Sequence, residues 1–193
     1  MEERITLVKL KTAFLIWFLL PGPGLSEGAF GFDFGSQLSA LLPLAEVDGL
    51  YELEPKTPSK SFERYAVIYE PSLGVCKITA NTLEYSDDRF GKNALQVYNL
   101  VKDELTQIYG LGSQYEFMSD DADLDDDDEF ALAIYKKARM HSTHWTIEQS
   151  DTFNVTANVS LGVRAIKNMT WVNVSYEANF FSQCMDKISS QSN

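Results

Sequence analysis

The chain has 193 residues, 45% of them hydrophobic and 12% aromatic, a composition that excludes wholesale disorder and calls for a packed core. A formal net charge of -12 excludes both the phosphate-neutralising surface of a nucleic-acid binder and the polybasic patch of a membrane-surface protein. Two cysteines and two histidines leave little material for thiol chemistry or metal clusters.

At the amino terminus Arg4, Lys9 and Lys11 precede an apolar run over residues 13–20, which Pro21-Gly22-Pro23-Gly24 ends. Basic, apolar and small-residue segments in that order are the layout of a cleavable secretory signal peptide, read here as residues 1–28. The run is shorter than the roughly 18 to 20 apolar residues that span a bilayer, so no membrane anchor is expected after cleavage. A mature chain of roughly 165 residues, the size of one domain, is expected in a secreted or periplasmic setting. There an isolated pair, Cys76 and Cys184, forms a disulfide.

Residues 29–61 read as an N-terminal arm or loop, and residues 62–193 as a single α+β domain. In the arm Phe30, Phe32 and Phe34 alternate with Gly31 and Asp33, which is strand spacing. Residues 62–69 and 75–83 are rich in Tyr, Val, Ile and Thr around the turn chemistry of Glu70-Pro71-Ser72-Leu73-Gly74, and are predicted to form a hairpin. Strict alternation puts Cys76, Ile78 and Ala80 on its inner face. Between Asn93 and Tyr109, Ala94, Tyr98, Val101, Leu105 and Ile108 make the stripe of a long amphipathic helix that Gly110 stops. A shorter helix is predicted from Asp128 to about Arg139. Residues 142–148 read as a strand beside a second hairpin. Its arms are the apolar alternations from Phe153 to Val163 and from Val172 to Phe180, joined at Lys167-Asn168. The expected fold is therefore α+β: an antiparallel sheet of about five strands, its other face partly solvated, with the long helix packed on it and the short helix second.

Among chemical motifs, the stretch from Glu116 to Glu129 holds nine carboxylates and no base. Within it Asp121, Asp123, Asp125 and Asp127 are the candidate calcium ligands. The first three fit the opening positions of an EF-hand loop, but Asp126 stands where that loop needs glycine and Leu132 where it needs glutamate. A hydrated loop that caps the next helix is the favoured reading, with an electrostatic lure for a basic partner as a third. No cofactor is expected unless calcium binds there. His141 and His144 form H-x-x-H, but on a strand that spacing sends them to opposite faces, which speaks against zinc. Gly110-Leu111-Gly112 is a helix stop and loop, not a dinucleotide fingerprint. Sequons begin at Asn154, Asn158, Asn168 and Asn173, yet alternating Asn, Ser and Thr on a wet strand face generate that pattern without any glycan.

Asn154, Asn158 and Trp171 are candidate partner-binding residues on that polar face. Together these features point to an exported binding or accessory module, inhibitor-like or an assembly partner, acting on another exported protein that is basic if the acidic run is the lure. The runner-up is a glycosidase-like hydrolase working through paired carboxylates. A calcium-dependent structural protein is the third class.

Overall fold

The computed structural model describes residues 28–47, 49–119, 129–147 and 156–191. Residues 1–27 of the expected leader, the aspartates 121, 123, 125 and 127, and Asn154 lie outside the described residues.

The architecture is α+β, as the sequence implies, but the sheet has eight strands and the helices number three among the described residues. In chain order the elements are β1 (Ala45–Val47), β2 (Leu50–Glu52), β3 (Arg64–Glu70), β4 (Gly74–Asn81), α1 (Lys92–Tyr109) and β5 (Ser113–Met118). They continue with α2 (Phe130–Tyr135), β6 (Arg139–Thr146), β7 (Thr156–Ile166), β8 (Met169–Ala178) and α3 (Phe181–Gln191). All pairings are antiparallel, and the spatial order is β1-β2-β3-β4-β8-β7-β6-β5. The two halves of the chain each contribute four strands and meet where β4 pairs with β8.

One face of the sheet carries the core. Ala94, Tyr98, Val101 and Leu105 of α1 lie on Val159, Leu161 and Val163 of β7 and on Val172, Val174 and Tyr176 of β8. Ile108, expected to close the helical stripe, is instead 69% exposed. Tyr109, four residues after Leu105, packs against the core in its place, because the buried face of a 3.6-residue helix drifts along the sequence. Asp88 anchors the helix start. Its carboxylate is buried and accepts the N–H groups of Asn93 at 3.2 Å and Ala94 at 3.1 Å together with the Thr170 hydroxyl at 2.6 Å. One side chain thus satisfies two donors of the first helical turn and ties that turn to the start of β8.

The N-terminal segment belongs to the same core. Phe32, Phe34 and Leu53 are buried in it, and β1 and β2 extend the sheet beyond β3. The phenylalanine run, whose spacing suits either a strand or an arm, is a turn: Phe30 has φ 58° and Gly31 φ 77°, and the Phe32 N–H returns to the Ala29 carbonyl at 3.0 Å. Gly35 N–H then donates to the Val75 carbonyl, and Val75 N–H to the Ser36 carbonyl, pinning the arm to β4. At that crossing Gly74 has φ 81°, and a Cβ there would collide with the Gly35 backbone.

The hairpin of β3 and β4 is present, with one change of phase. Ile68 pairs with Lys77 but Tyr69 pairs with Val75, so Cys76 is the extra residue of a bulge. Val75 and Ile78, which plain alternation would separate, both enter the core, and Cys76, expected on their face, lies outside that cluster. It is bonded instead to Cys184 of α3, with Cα atoms 6.4 Å apart. The same helix brings Phe181 beneath the Lys77 ammonium at 5.1 Å. At the end of β3, Glu70 is held below its ordinary carboxyl value, against burial, by the Ser72 hydroxyl, reinforced by the Ser72 and Leu73 N–H groups and by the Lys187 charge of α3.

The second helix is shorter than predicted: Lys137 takes φ 61°, and β6 begins two residues later. The terminal hairpin closes through the two-residue turn Lys167-Asn168, as expected, with Ile166 opposite Met169 and Lys167 at φ 57°. Among the described residues no helix is long and apolar enough to cross a membrane.

Candidate functional site

The face of the sheet opposite α1 is partly open, and its chemistry follows from register. Tyr115 of β5 stands beside Ser142 of β6, Gly162 of β7 and Asn173 of β8 in one row across the sheet. The next row carries Ser113, His144, Ser160, Ser175 and Thr79. Gly162 has no side chain, so the middle of this face is a trough floored by small polar groups. A groove of about 350 Å³ adjoins it, lined from this face by Met140, Ser142, His144 and Arg164 and from the α2 side by Ile134 and Lys137.

The polar groups of the floor are mostly occupied by one another. Ser160 and Ser175 share a hydrogen bond of 2.7 Å, and the Asn173 amide donates to Thr79 Oγ1 at 2.7 Å and Asn81 Oδ1 at 2.9 Å. The apolar groups at the β5 end are not. Tyr115 is 46% exposed, Phe117 54% and Met140 45%, and Phe117 is the direct cross-strand neighbour of Met140. β5 is also the last strand of the sheet, paired on one side by β6 alone among the described elements, and five of its six residues are exposed.

His144 lies in this groove, with its ring edge-on to Tyr115 at 5.2 Å and Nε2 3.1 Å from the Ser142 hydroxyl. Burial, reinforced by the Arg164 charge and opposed by Glu177, keeps its pKa below the ordinary value, so the ring is neutral at pH 7. A hydroxyl beside a neutral imidazole is the first contact of a nucleophile and its base. Acyl transfer also needs convergent N–H donors for the oxyanion. The backbone around Ser142 lies in the β5–β6–β7 ladder, so its N–H groups run along the sheet instead of converging on a point above it.

His141 faces the other way, as the H-x-x-H spacing on a strand requires. Its ring packs on Tyr98 at 4.6 Å and Phe130 at 5.7 Å, and Nε2 lies 3.7 Å from Glu116 Oε1. Lys102 of α1 approaches the same carboxylate oxygen at 3.6 Å. Tyr98 and Thr143 share a buried hydrogen bond of 2.6 Å. Burial pushes the Tyr98 phenol up to about 12, the Thr143 bond opposing the rise and Glu116 adding to it. Burial also lowers His141, with Lys102 and Arg139 reinforcing and Glu116 opposing. These groups clamp the inner side of β5 to α1, while Tyr115 and Phe117 project from the strand's other side. No group of three or more His, Cys, Asp or Glu side chains suited to a metal occurs among the described residues.

Of the residues singled out from sequence, Asn158 and Trp171 lie on the open face. Asn158 is opposite Glu177 and adjoins a hollow with Tyr115, Phe117 and Met140. Trp171 is opposite Arg164, six residues along β7, about 20 Å away, in a separate hollow with Arg64 and Asn173. The two do not share one patch. Among the sequon asparagines, Asn173 is tied into the sheet as above. Asn168 is exposed on the hairpin turn and donates to Asp87 Oδ1 at 2.7 Å, and Asn158 is exposed on β7. The two carboxylates most deeply buried, Glu70 and Asp88, sit at separate sites, each saturated by local donors.

Sequence reasoning missed β5 and with it Tyr115, Phe117 and Met140. The signal was there in the alternation of Tyr115 and Phe117 with Gln114 and Glu116, but the acidic run that begins at Glu116 reads as loop. The sequence matches no protein-family model and no curated protein, so the chemistry of its own residues carries the functional reading.

Proposed function

We propose that the chain is an exported interaction module that engages another exported protein through the open face of its sheet at the β5 end. The observation that carries this reading is the contiguous trio Tyr115, Phe117 and Met140, left 45–54% exposed on the last strand of the sheet. Large apolar groups clustered at one place are expensive to leave in water, and clusters of this kind mark contact surfaces. The leader-like amino terminus and the Cys76–Cys184 disulfide support an oxidising compartment as the place of action.

The test is a photo-crosslinking residue, p-benzoylphenylalanine, placed at position 117 and, as control, at position 100 on the outer side of α1, where Leu100 is equally exposed at 54%. In the native compartment, position 117 is expected to give a discrete adduct with one exported protein and position 100 none. Equal adducts from both positions, or none from 117, refute the reading.

A further inference from the structure

Resting on that interaction reading, we propose that the partner supplies an extended, basic segment that pairs with β5 as a ninth strand of the sheet. Three observations converge on that occupant.

The first is the edge itself. A terminal strand presents a row of unpaired backbone N–H and C=O groups, and folded proteins blunt such edges with short strands, lysines, prolines or bulges. The opposite edge follows that rule, for β1 has three residues. β5 has six, Ser-Gln-Tyr-Glu-Phe-Met, without lysine, proline or glycine, and its register with β6 runs unbroken from Ser113 to Met118. It is a straight template about 20 Å long.

The second is the pair of aromatic rings. Tyr115 and Phe117 project from the open face and flank the position where alternate side chains of an added strand would stand. Main-chain pairing supplies affinity, and these rings, with Met140 behind Phe117, supply side-chain contact on one face only. A partner with apolar residues at alternate positions fits that geometry.

The third is charge. Glu116 lies in the middle of β5, and the chain from Glu116 to Glu129 carries nine carboxylates and no base. A second copy of this chain would bring another net charge of -12 to the same edge and is repelled. An acidic or neutral partner gains nothing from this field, whereas a segment with alternate lysines or arginines gains association rate and register.

The experiment uses the full mature chain and a synthetic probe, the octapeptide (Val-Lys)4, with three controls. These are (Val-Glu)4, the same Val-Lys peptide N-methylated at every residue so that neither of its edges can donate to a ladder, and size-exclusion chromatography of the chain alone. Binding is read by fluorescence anisotropy and by amide hydrogen exchange. Expected is binding of (Val-Lys)4 with slowed exchange confined to residues 113–118. Affinity should fall about tenfold in each of Tyr115→Ser and Phe117→Ser, and at least about tenfold between about 50 and 500 mM salt. Both substitutions fall on half-exposed side chains, so the fold is retained. Equal binding by (Val-Glu)4 or by the N-methylated peptide overturns the proposal, as does a dimer whose β5 amides are already protected. If the position-117 crosslink forms in the native compartment but no Val-Lys peptide binds, the basic-strand inference fails and the interaction reading stands. If neither is seen, both fail.

Discussion

Reducing the Cys76–Cys184 bond tests how the sheet and α3 are held together. The bond closes a loop of 108 residues, which in the chain-entropy description restricts the unfolded state by about 5 kcal/mol at 25 °C. For a domain of this size that corresponds to a fall in Tm of about 10–20 °C. The loss is expected to be uneven in space. Among the described residues of α3 only Cys184 is buried, and the helix's other contacts include Phe181 with Lys77 and Lys187 near Glu70 at its surface. Hydrogen exchange at residues 181–191 should therefore accelerate under reductant at temperatures where α1 and β7 remain protected. Calorimetry of oxidised and phosphine-reduced chain, with exchange mass spectrometry at 25 °C, measures both effects. A Tm unchanged within about 3 °C, or equal acceleration throughout the sheet, would refute the reasoning.

Asp88→Ala removes the shared acceptor of Asn93, Ala94 and Thr170 and should cost about 2–3 kcal/mol in denaturant unfolding, while Asp87→Ala next to it should cost less than about 1. His141 is held below its ordinary value near 6.5, so the unfolded chain takes up its proton first. Its contribution to stability is complete above about pH 6.5 and is lost as pH falls through the folded-state pKa. Melts at about pH 7.5 and 5 should accordingly show a smaller acid loss in His141→Gln than in the parent, with His144, also lowered, supplying the remainder. Calcium separates the structural-calcium alternative from the interaction reading. Adding about 1 mM calcium to chelator-treated protein should leave Tm unchanged, whereas a site with Kd near 10 μM would raise it by about 5–10 °C.

Much of the fold was legible where periodicity persists over many residues. α1, the β3–β4 hairpin and the β7–β8 hairpin each repeat an apolar pattern over eight or more positions, and each formed close to where the spacing placed it. What escaped was short or locally overridden. β1 and β2 have three residues each, too few to establish alternation, and the sheet was undercounted accordingly. The run Phe30–Phe34 alternates perfectly and is still no strand, because positive φ at Phe30 and Gly31 turns the chain and leaves only an isolated bridge at Asp33. Cys76 followed the inward alternation until a bulge moved it by one place, a shift that leaves no mark in residue type. Only Asn158 and Trp171 of the candidate contact residues could be placed, and on one face but far apart. The stronger cluster around β5 was hidden by charge: Glu116 begins the acidic run and also points back toward Lys102 and His141 beneath α1. A carboxylate that reads as solvated loop from sequence lies, in the fold, on the inner side of a strand that its ladder with β6 holds in place.

Amide hydrogen exchange on the complex formed with the natural partner, compared with the free chain, tests the contact surface most directly. Slowed exchange centred on residues 113–118 and continuing into residues 140–144, with β1 unaffected, is the expected result. Protection confined to the outer side of α1 or to the β1 edge, with β5 exchanging as fast as in the free chain, would contradict the account.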